Sequence, residues 1–219
     1  MLTYHALREN KEISTYITKA DESLCALGYT EHSFAHVVRV AEDVGRILET
    51  LHFSEREIEI ARIAAYLHDI GNLVNRVDHS QSGAIMAFRL LDRLGMDAEE
   101  LATVVTAIGN HDEGTGVPVN PIAAALILAD KSDVRRSRVR NNDPLTFDIH
   151  DRVNYSVTAS RLSVEPEAGC VRLTLEIDTQ YGSVMDYFEI FMGRMILCRK
   201  AAQTLGMRFT LFINGQQLL

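Results

Sequence analysis

The chain has 219 residues, 47% hydrophobic and 24% charged, which excludes a disordered or fibrous protein and suits one medium domain, alone or with a small appendage. Thirty acidic residues against twenty-two Lys and Arg leave a net charge of −8, which argues against non-specific nucleic-acid binding and against attachment to a membrane surface. Cys25, Cys170 and Cys198 are far apart and odd in number, so neither a disulfide framework nor a metal knuckle is expected, and a reducing, cytoplasmic location is.

The N-terminal stretch Met1–Lys19 carries charge throughout and has no apolar core, so no signal peptide is expected. Residues 3–27 read as a first helix, with Leu7, Ile13, Ile17, Ala20 and Leu24 at helical spacing and Gly28 beyond its end. A second runs from about Glu31 to Leu51 on the stripe Phe34, Val37, Val38, Ala41, Val44 and Leu48. A third opens on the capping-box pattern Ser54–Glu57 and ends near Gly71. A fourth runs from the pair Asp78 and Gln81, read as another capping box, to Leu94. The fifth starts at Asp97 with the stripe Leu101, Val104, Val105 and Ile108. The sixth opens at Asn120-Pro121, a cap followed by proline at the first helical position, and continues through Ala129 toward Val139. Its apolar run, Ile122–Ala129, is too short to span a bilayer.

Near Asp148 the period changes. Val153, Tyr155, Val157 and Ala159 alternate with polar residues, and so do Val171, Leu173, Leu175 and Ile177 after a Glu167-Ala168-Gly169 turn. The two runs read as a hairpin, followed by a helix over 183–205 and a strand over 208–213. The expectation is a mostly α protein: a helical bundle over residues 1–147 and a small β-β-α-β appendage over 148–219. The appendage is expected to serve packing or self-association, with a homo-oligomer as the result, and not catalysis.

Several ligand-type side chains fall where a core-facing apolar residue belongs. His68 follows Ala61 and Ala65 on an inward stripe, with Asp69 next to it. His111 continues the stripe of the fifth helix, Asp130 ends the eight-residue apolar run, and His32 and His36 share a helix face. Each alone is also explained as a polar residue satisfied locally at a helix end. Together, imidazole and carboxylate donors form a set that suits Mn, Fe, Ni and Zn, and a buried carboxylate needs a cation or hydrogen bonds to offset its desolvation.

These residues resemble the HD-domain metal-dependent phosphohydrolases. The matching motifs are His36-x-x-Arg39-Val40-Ala41, the doublet His68-Asp69 in His68-Asp69-Ile70-Gly71, and Ala129-Asp130-Lys131, in the same order and helical setting, over about residues 30–140. His79, in Asp78-His79-Ser80-x-x-Gly83, and His111, in Asn110-His111-Asp112, match the binuclear branch of that family. The resemblance implies an HD-type helical bundle with two divalent metal ions, Fe or Mn before Mg, Ni, Co or Zn. It implies one ion on His36, His68, Asp69 and Asp130, and another on His79 and His111 with Asp69 bridging. Many relatives carry lysine where this chain has Asn72, which removes a cation from the edge of the site. No Gly-Tyr-Pro triplet follows the doublet, so the cyclic-di-GMP phosphodiesterase branch is not supported.

Lys131, Arg135, Arg136, Arg138 and Arg140 follow the last ligand within ten residues, and on a continuous helix Lys131, Arg135 and Arg138 would share a face. They are read as a phosphate clamp or as a solvated helix end. The loop from Asp112 to Pro118, with Gly114 and Gly116, is read as a connector or a phosphate cradle. The expected function is hydrolysis of a phosphate ester or anhydride of a small nucleotide-like or other phosphorylated substrate by a metal-activated water. Asp69, Lys131 and His32 are the candidate catalytic groups; Lys131, Arg135 and Arg138 are the candidate substrate contacts. The alternatives are a di-iron oxygenase on the same fold, as in myo-inositol oxygenase, acting on a small anionic substrate, and a non-catalytic sensing domain.

Overall fold

In this computed structural model, which describes residues 1–141 and 143–219, the first expected helix is two. Helix α1 spans Tyr4–Arg8 and α2 spans Lys11–Ala26. Asn10 separates them because its side chain accepts from the backbone N–H groups of Glu12 and Ile13 and starts a new helix. Helix α3 spans Phe34–Thr50, and α4 spans Glu55–Leu67 behind a complete Ser54–Glu57 capping box. Helix α5 spans His79–Arg93. The capping box expected from Asp78 and Gln81 does not form: Asp78 is left-handed at φ 57° and its side chain caps nothing. The chain instead turns sharply there. Helix α6 spans Ala98–Gly109, capped by Asp97, and α7 spans Pro121–Ser132, capped by Asn120.

Helix α7 is buried from Ile122 through Ser132 and forms the axis of the bundle. Apolarity on all sides is what a central helix needs. It stops at Ser132, well before Val139, because Asp133 leaves helical geometry at ψ 71° and Arg135 is extended. The shared helical face expected for Lys131, Arg135 and Arg138 therefore does not exist.

Helix α8 spans Ile149–Ser156, and strand β1 runs over Val157–Glu165. The alternation at 153–156 is thus the last turn of a helix and not the start of a strand; four residues of period two are too few to exclude a helix. Strand β2 is Cys170–Ile177, α9 is Val184–Thr204, β3 is Arg208–Ile213 and β4 is Gln216–Gln217. The sheet order is β1-β2-β3-β4, with β1/β2 and β3/β4 antiparallel and β2/β3 parallel. The parallel pair requires a crossover, and α9 supplies it. Leu173, Leu175, Leu211 and Ile213 are buried on the sheet, with Leu197, Cys198, Ala201 and Ala202 buried on α9. Helix α9 also packs against α7, and the buried apolar cluster is continuous from Leu7 to Ile213. The fold is mostly helical with one small sheet. Among the described residues no helix is long and apolar enough to cross a membrane.

Candidate metal centre

Five helix ends deliver the ligand-type residues. His36 lies in the first turn of α3, His68 caps α4 with Asp69 next, His79 opens α5, and Asp130 lies in the last turn of α7. His111 follows the end of α6 and is fully buried. Gly71 lets the start of α5 press onto the turn after Asp69: a Cβ there would lie 2.0 Å from the carbonyl oxygen of His79. That close approach sets His79 against Asp69.

The side chains converge. His36 Nε2 lies 3.5 Å from Asp69 Oδ2 and 3.3 Å from Asp130 Oδ1, and His68 Nε2 lies 3.3 and 3.6 Å from the same two oxygens. On the other side, Asp69 Oδ1 lies 3.5 Å from His79 Nε2 and 3.9 Å from His111 Nε2. His79 Nε2 and His111 Nε2 are 3.1 Å apart. Ligand atoms of His36, His68 and Asp130, and of His68, Asp69 and His111, lie within 4.8 Å of one another.

The outer ring nitrogens orient the inner ones. His36 Nδ1 donates to Asp133 Oδ2 at 2.8 Å, His68 Nδ1 to Ala65 O at 2.7 Å, His79 Nδ1 to Arg76 O at 3.0 Å and His111 Nδ1 to Ile108 O at 2.6 Å. With Nδ1 of each ring donating outward, each Nε2 points inward, where it can offer a lone pair to a cation or hold a proton against a carboxylate. His36 Nε2 and His68 Nε2 are buried and have no hydrogen-bond partner among the described residues. Lone pairs facing carboxylate oxygens and one another repel unless a proton or cation lies between them. The donor set, imidazole nitrogen with carboxylate oxygen, fits one or two divalent ions.

The electrostatics agree with that reading. Burial opposes charge on His68, but the carboxylates of Asp69 and Asp130 outweigh it and push the imidazole up to about 10. Burial holds His111 well below the ordinary imidazole value, with His68 adding to the effect, and burial also lowers His79. Burial favours the neutral acid at Asp69 and Asp130, yet His68 at the first and Lys131 at the second keep both well below the usual carboxylate range.

Around the ligands lies a ring of charged partners. Asn72 donates to Asp69 Oδ1 at 3.0 Å, and Arg76 reaches Asn72 Oδ1 at 3.3 Å and Asp69 Oδ1 at 4.0 Å. Arg76 thus restores the cation that Asn72 removes; the sequence reading did not single it out, because nothing in its spacing ties it to Asp69. Lys131 is buried, with Nζ 2.6 Å from Asp130 Oδ2 and 2.9 Å from Glu113 Oε2. Burial lowers the lysine and the two carboxylates raise it, with the carboxylates prevailing.

Arg135 donates from Nε to Asp133 Oδ1 at 2.8 Å and also pairs with Glu31. Arg138 donates to the backbone carbonyls of Glu31 and Asp133 at 2.8 and 2.7 Å. Both therefore serve Asp133 and the segment around it, although Arg138 also borders a cavity of about 430 Å³ beside the site. That cavity is lined by His32, Arg76, Glu113, Arg138, Phe191 and Arg194 among others. His32 donates from Nδ1 to Thr30 O at 2.7 Å, and burial with Arg138 nearby holds it well below the ordinary imidazole value, so its Nε2 is unprotonated. In the loop, Gly116 N–H donates to Asp112 O at 2.6 Å and Gly114 N–H to Asp112 Oδ2 at 3.2 Å. Those donors are spent within the loop, which acts as a connector and not as a phosphate cradle.

The helical scaffold thus brings four imidazoles and two carboxylates together as a set that could hold divalent metal. Residues 33–137, just under half of the chain, match the family model of the HD domain. The chain is similar to the uncharacterized protein MJ1020 of Methanocaldococcus jannaschii, at 27% identity over 162 residues covering 64% of this chain. The match spans 62% of that relative's length, less than two thirds. A solved structure titled a predicted HD superfamily hydrolase, from an uncultured Thermotogales bacterium, matches at 29% identity with a TM-score of 0.46, covering 57% of this chain and 68% of that one.

Proposed function

We propose that the protein is a metal-dependent phosphohydrolase acting on a small phosphorylated substrate. The observation that carries the reading is Asp69, whose two oxygens face two different pairs of histidines, Oδ2 toward His36 and His68 and Oδ1 toward His79 and His111. His36, His68, Asp69 and Asp130 would hold one ion, and His79, His111 and Asp69 the other. Such ions, when bound, supply a hydroxide near neutral pH and offset charge on phosphate oxygens.

The chain's own residues do the rest. Lys131 has three N–H donors, of which two go to Asp130 and Glu113; the third can meet a phosphate oxygen. Arg76, beside Asp69, neutralises the opposite edge. His32, neutral with Nε2 unprotonated at the cavity, can accept a proton from water but is a poor proton donor near pH 7. Arg138 borders the cavity and adds positive potential there.

The test is the protein loaded with Mn²⁺ or Fe²⁺ and screened for phosphate release from nucleotides, dinucleoside polyphosphates and sugar phosphates. Release that disappears in Asp69→Asn supports the reading. Oxygen uptake by the Fe²⁺-loaded protein, with no phosphate released from any of them, would move the site to the oxygenase class.

A further inference from the structure

The C-terminal segment lies outside the residues matched by the HD domain, yet it reaches the metal centre. Of the cavity's lining residues, only Arg76 and Glu113 fall within 33–137. Phe191 and Arg194 of α9 form part of the wall.

Four charges of alternating sign run inward from that wall. Arg194 Nε donates to Glu113 Oε1 at 3.0 Å, Glu113 Oε2 lies 2.9 Å from Lys131 Nζ, and Lys131 Nζ lies 2.6 Å from Asp130 Oδ2. Asp130 Oδ1 is left to face His36 and His68. Glu113 sits on the connector between α6 and α7, where no helix restrains it. Burial favours its neutral acid, but Lys131 and Arg194 outweigh burial and hold the carboxyl well below the usual range. Arg194 is itself fixed, with its guanidinium carbon 4.1 Å from the centroid of the buried Phe191 ring. Helix α9, which carries both, packs on α7, which carries Lys131. The chain of contacts thus closes on itself.

We propose that Arg194 is a positioning residue for Lys131, acting through Glu113, so that α9 completes the phosphate-facing edge of the metal centre. The phosphate-facing part rests on the phosphohydrolase reading; the positioning part does not. A lysine ammonium sits on a flexible four-carbon stem, and burial demands partners for it. Asp130 alone leaves that stem free to follow Glu113 wherever the connector moves. Arg194 pins Glu113, and two fixed carboxylates then aim the third N–H of Lys131 in one direction. The sequence expectation gives this segment packing or self-association; on this proposal it has a positioning role as well.

The experiment is acetic anhydride labelling of the full-length Mn²⁺-loaded protein, read by mass spectrometry at Lys131 against the exposed Lys19 and Lys200. Arg194→Gln should raise relative labelling of Lys131 at least about tenfold, because the local contacts that protect it loosen, and Arg194→Lys should recover most of the protection. Glu113→Gln should give the same rise, and it replaces Arg194→Gln if that variant does not fold. Labelling of Lys131 within about twofold of the parent in the folded variant overturns the proposal, whatever the activity. On p-nitrophenyl phosphate, Arg194→Gln should lower kcat by about tenfold and have no further effect in a Lys131→Met background. Additive losses there overturn it too. A parent that releases no phosphate while labelling changes as expected sinks the reaction and leaves the positioning contact standing.

Discussion

His36 Nδ1 donates to Asp133 Oδ2 at 2.8 Å, and both side chains are fully buried. This contact fixes the ring so that Nε2, not Nδ1, faces the metal centre. Three arginines keep Asp133 ionised: Arg135 Nε at 2.8 Å, Arg39 Nε at 3.2 Å and Arg138 Nη1 at 3.7 Å. Burial works against the charge, but the His36 hydrogen bond and Arg138 outweigh it and hold Asp133 well below the usual carboxylate range. An Asp133→Asn variant keeps the shape and loses the charge, and its amide can donate to Nδ1 and select the wrong tautomer. Metal affinity should fall by roughly 10–100-fold. Competition against a chelating dye measures it, and parent-like affinity would show that Asp133 does not orient the ligand.

The two faces of Asp69 predict different metal counts. His111→Ala removes a ligand from one face only, so it should hold about one ion per chain under saturating Mn²⁺. Asp69→Ala removes the carboxylate common to both faces and should hold neither tightly. Elemental analysis after gel filtration distinguishes them. Two ions per chain in His111→Ala would remove the second position from the reading.

Much of this centre is legible in the sequence because burial and polarity conflict there. Asp130 at the end of an apolar run and His68 on an inward stripe stand out without any structure. Asp133, Glu113 and Arg76 do not, because their roles come from contacts across the fold: Asp133 is 97 residues from His36 in sequence. The end of α7 was missed for a related reason. Ser132 to Val139 contains no glycine or proline, so nothing local marks a stop, and the helix ends because Asp133 is drawn to His36 and the arginines. The β-β-α-β order is visible in alternating runs, but the start of β1 is not, since α8 ends on residues that alternate by chance.

Metal binding should release a proton. The carboxylates of Asp69 and Asp130 push His68 up to about 10, so near pH 7 an ion must displace the proton shared on its Nε2. The sign follows: His68 is protonated below about 10, so apparent affinity for the ion between His36, His68 and Asp130 should rise with pH, up to about tenfold per unit, and level off near 10. His79 and His111 are lowered and already neutral at pH 7, so the second position should depend far less on pH. Calorimetry in two buffers of different ionisation enthalpy counts the protons. No release at pH 7 from the first binding event would contradict the assignment.

Lys131 and Arg135, read from the sequence as a phosphate clamp or a solvated helix end, have different partners in the fold, and two variants should separate them in solution. Arg135 spends its Nε on Asp133 and its Nη2 on Glu31, so Arg135→Ala should weaken metal binding slightly and leave KM unchanged. Lys131 stands 2.6 Å from Asp130 Oδ2, on the oxygen turned away from His36 and His68. Removing its charge leaves the metal centre more negative, so Lys131→Met should bind a divalent ion at least as tightly as the parent. Its turnover should nevertheless fall by at least ~30-fold, about 2 kcal/mol, because a donor to the reacting phosphate is lost in a desolvated site. Metal content and turnover must be measured on the same preparation. The diagnostic result is opposite movement, metal retained or tightened while turnover drops. A loss of metal that accounts for the loss of turnover would reduce Lys131 to a structural partner of Asp130, and a rise of KM in Arg135→Ala would return that arginine to the substrate.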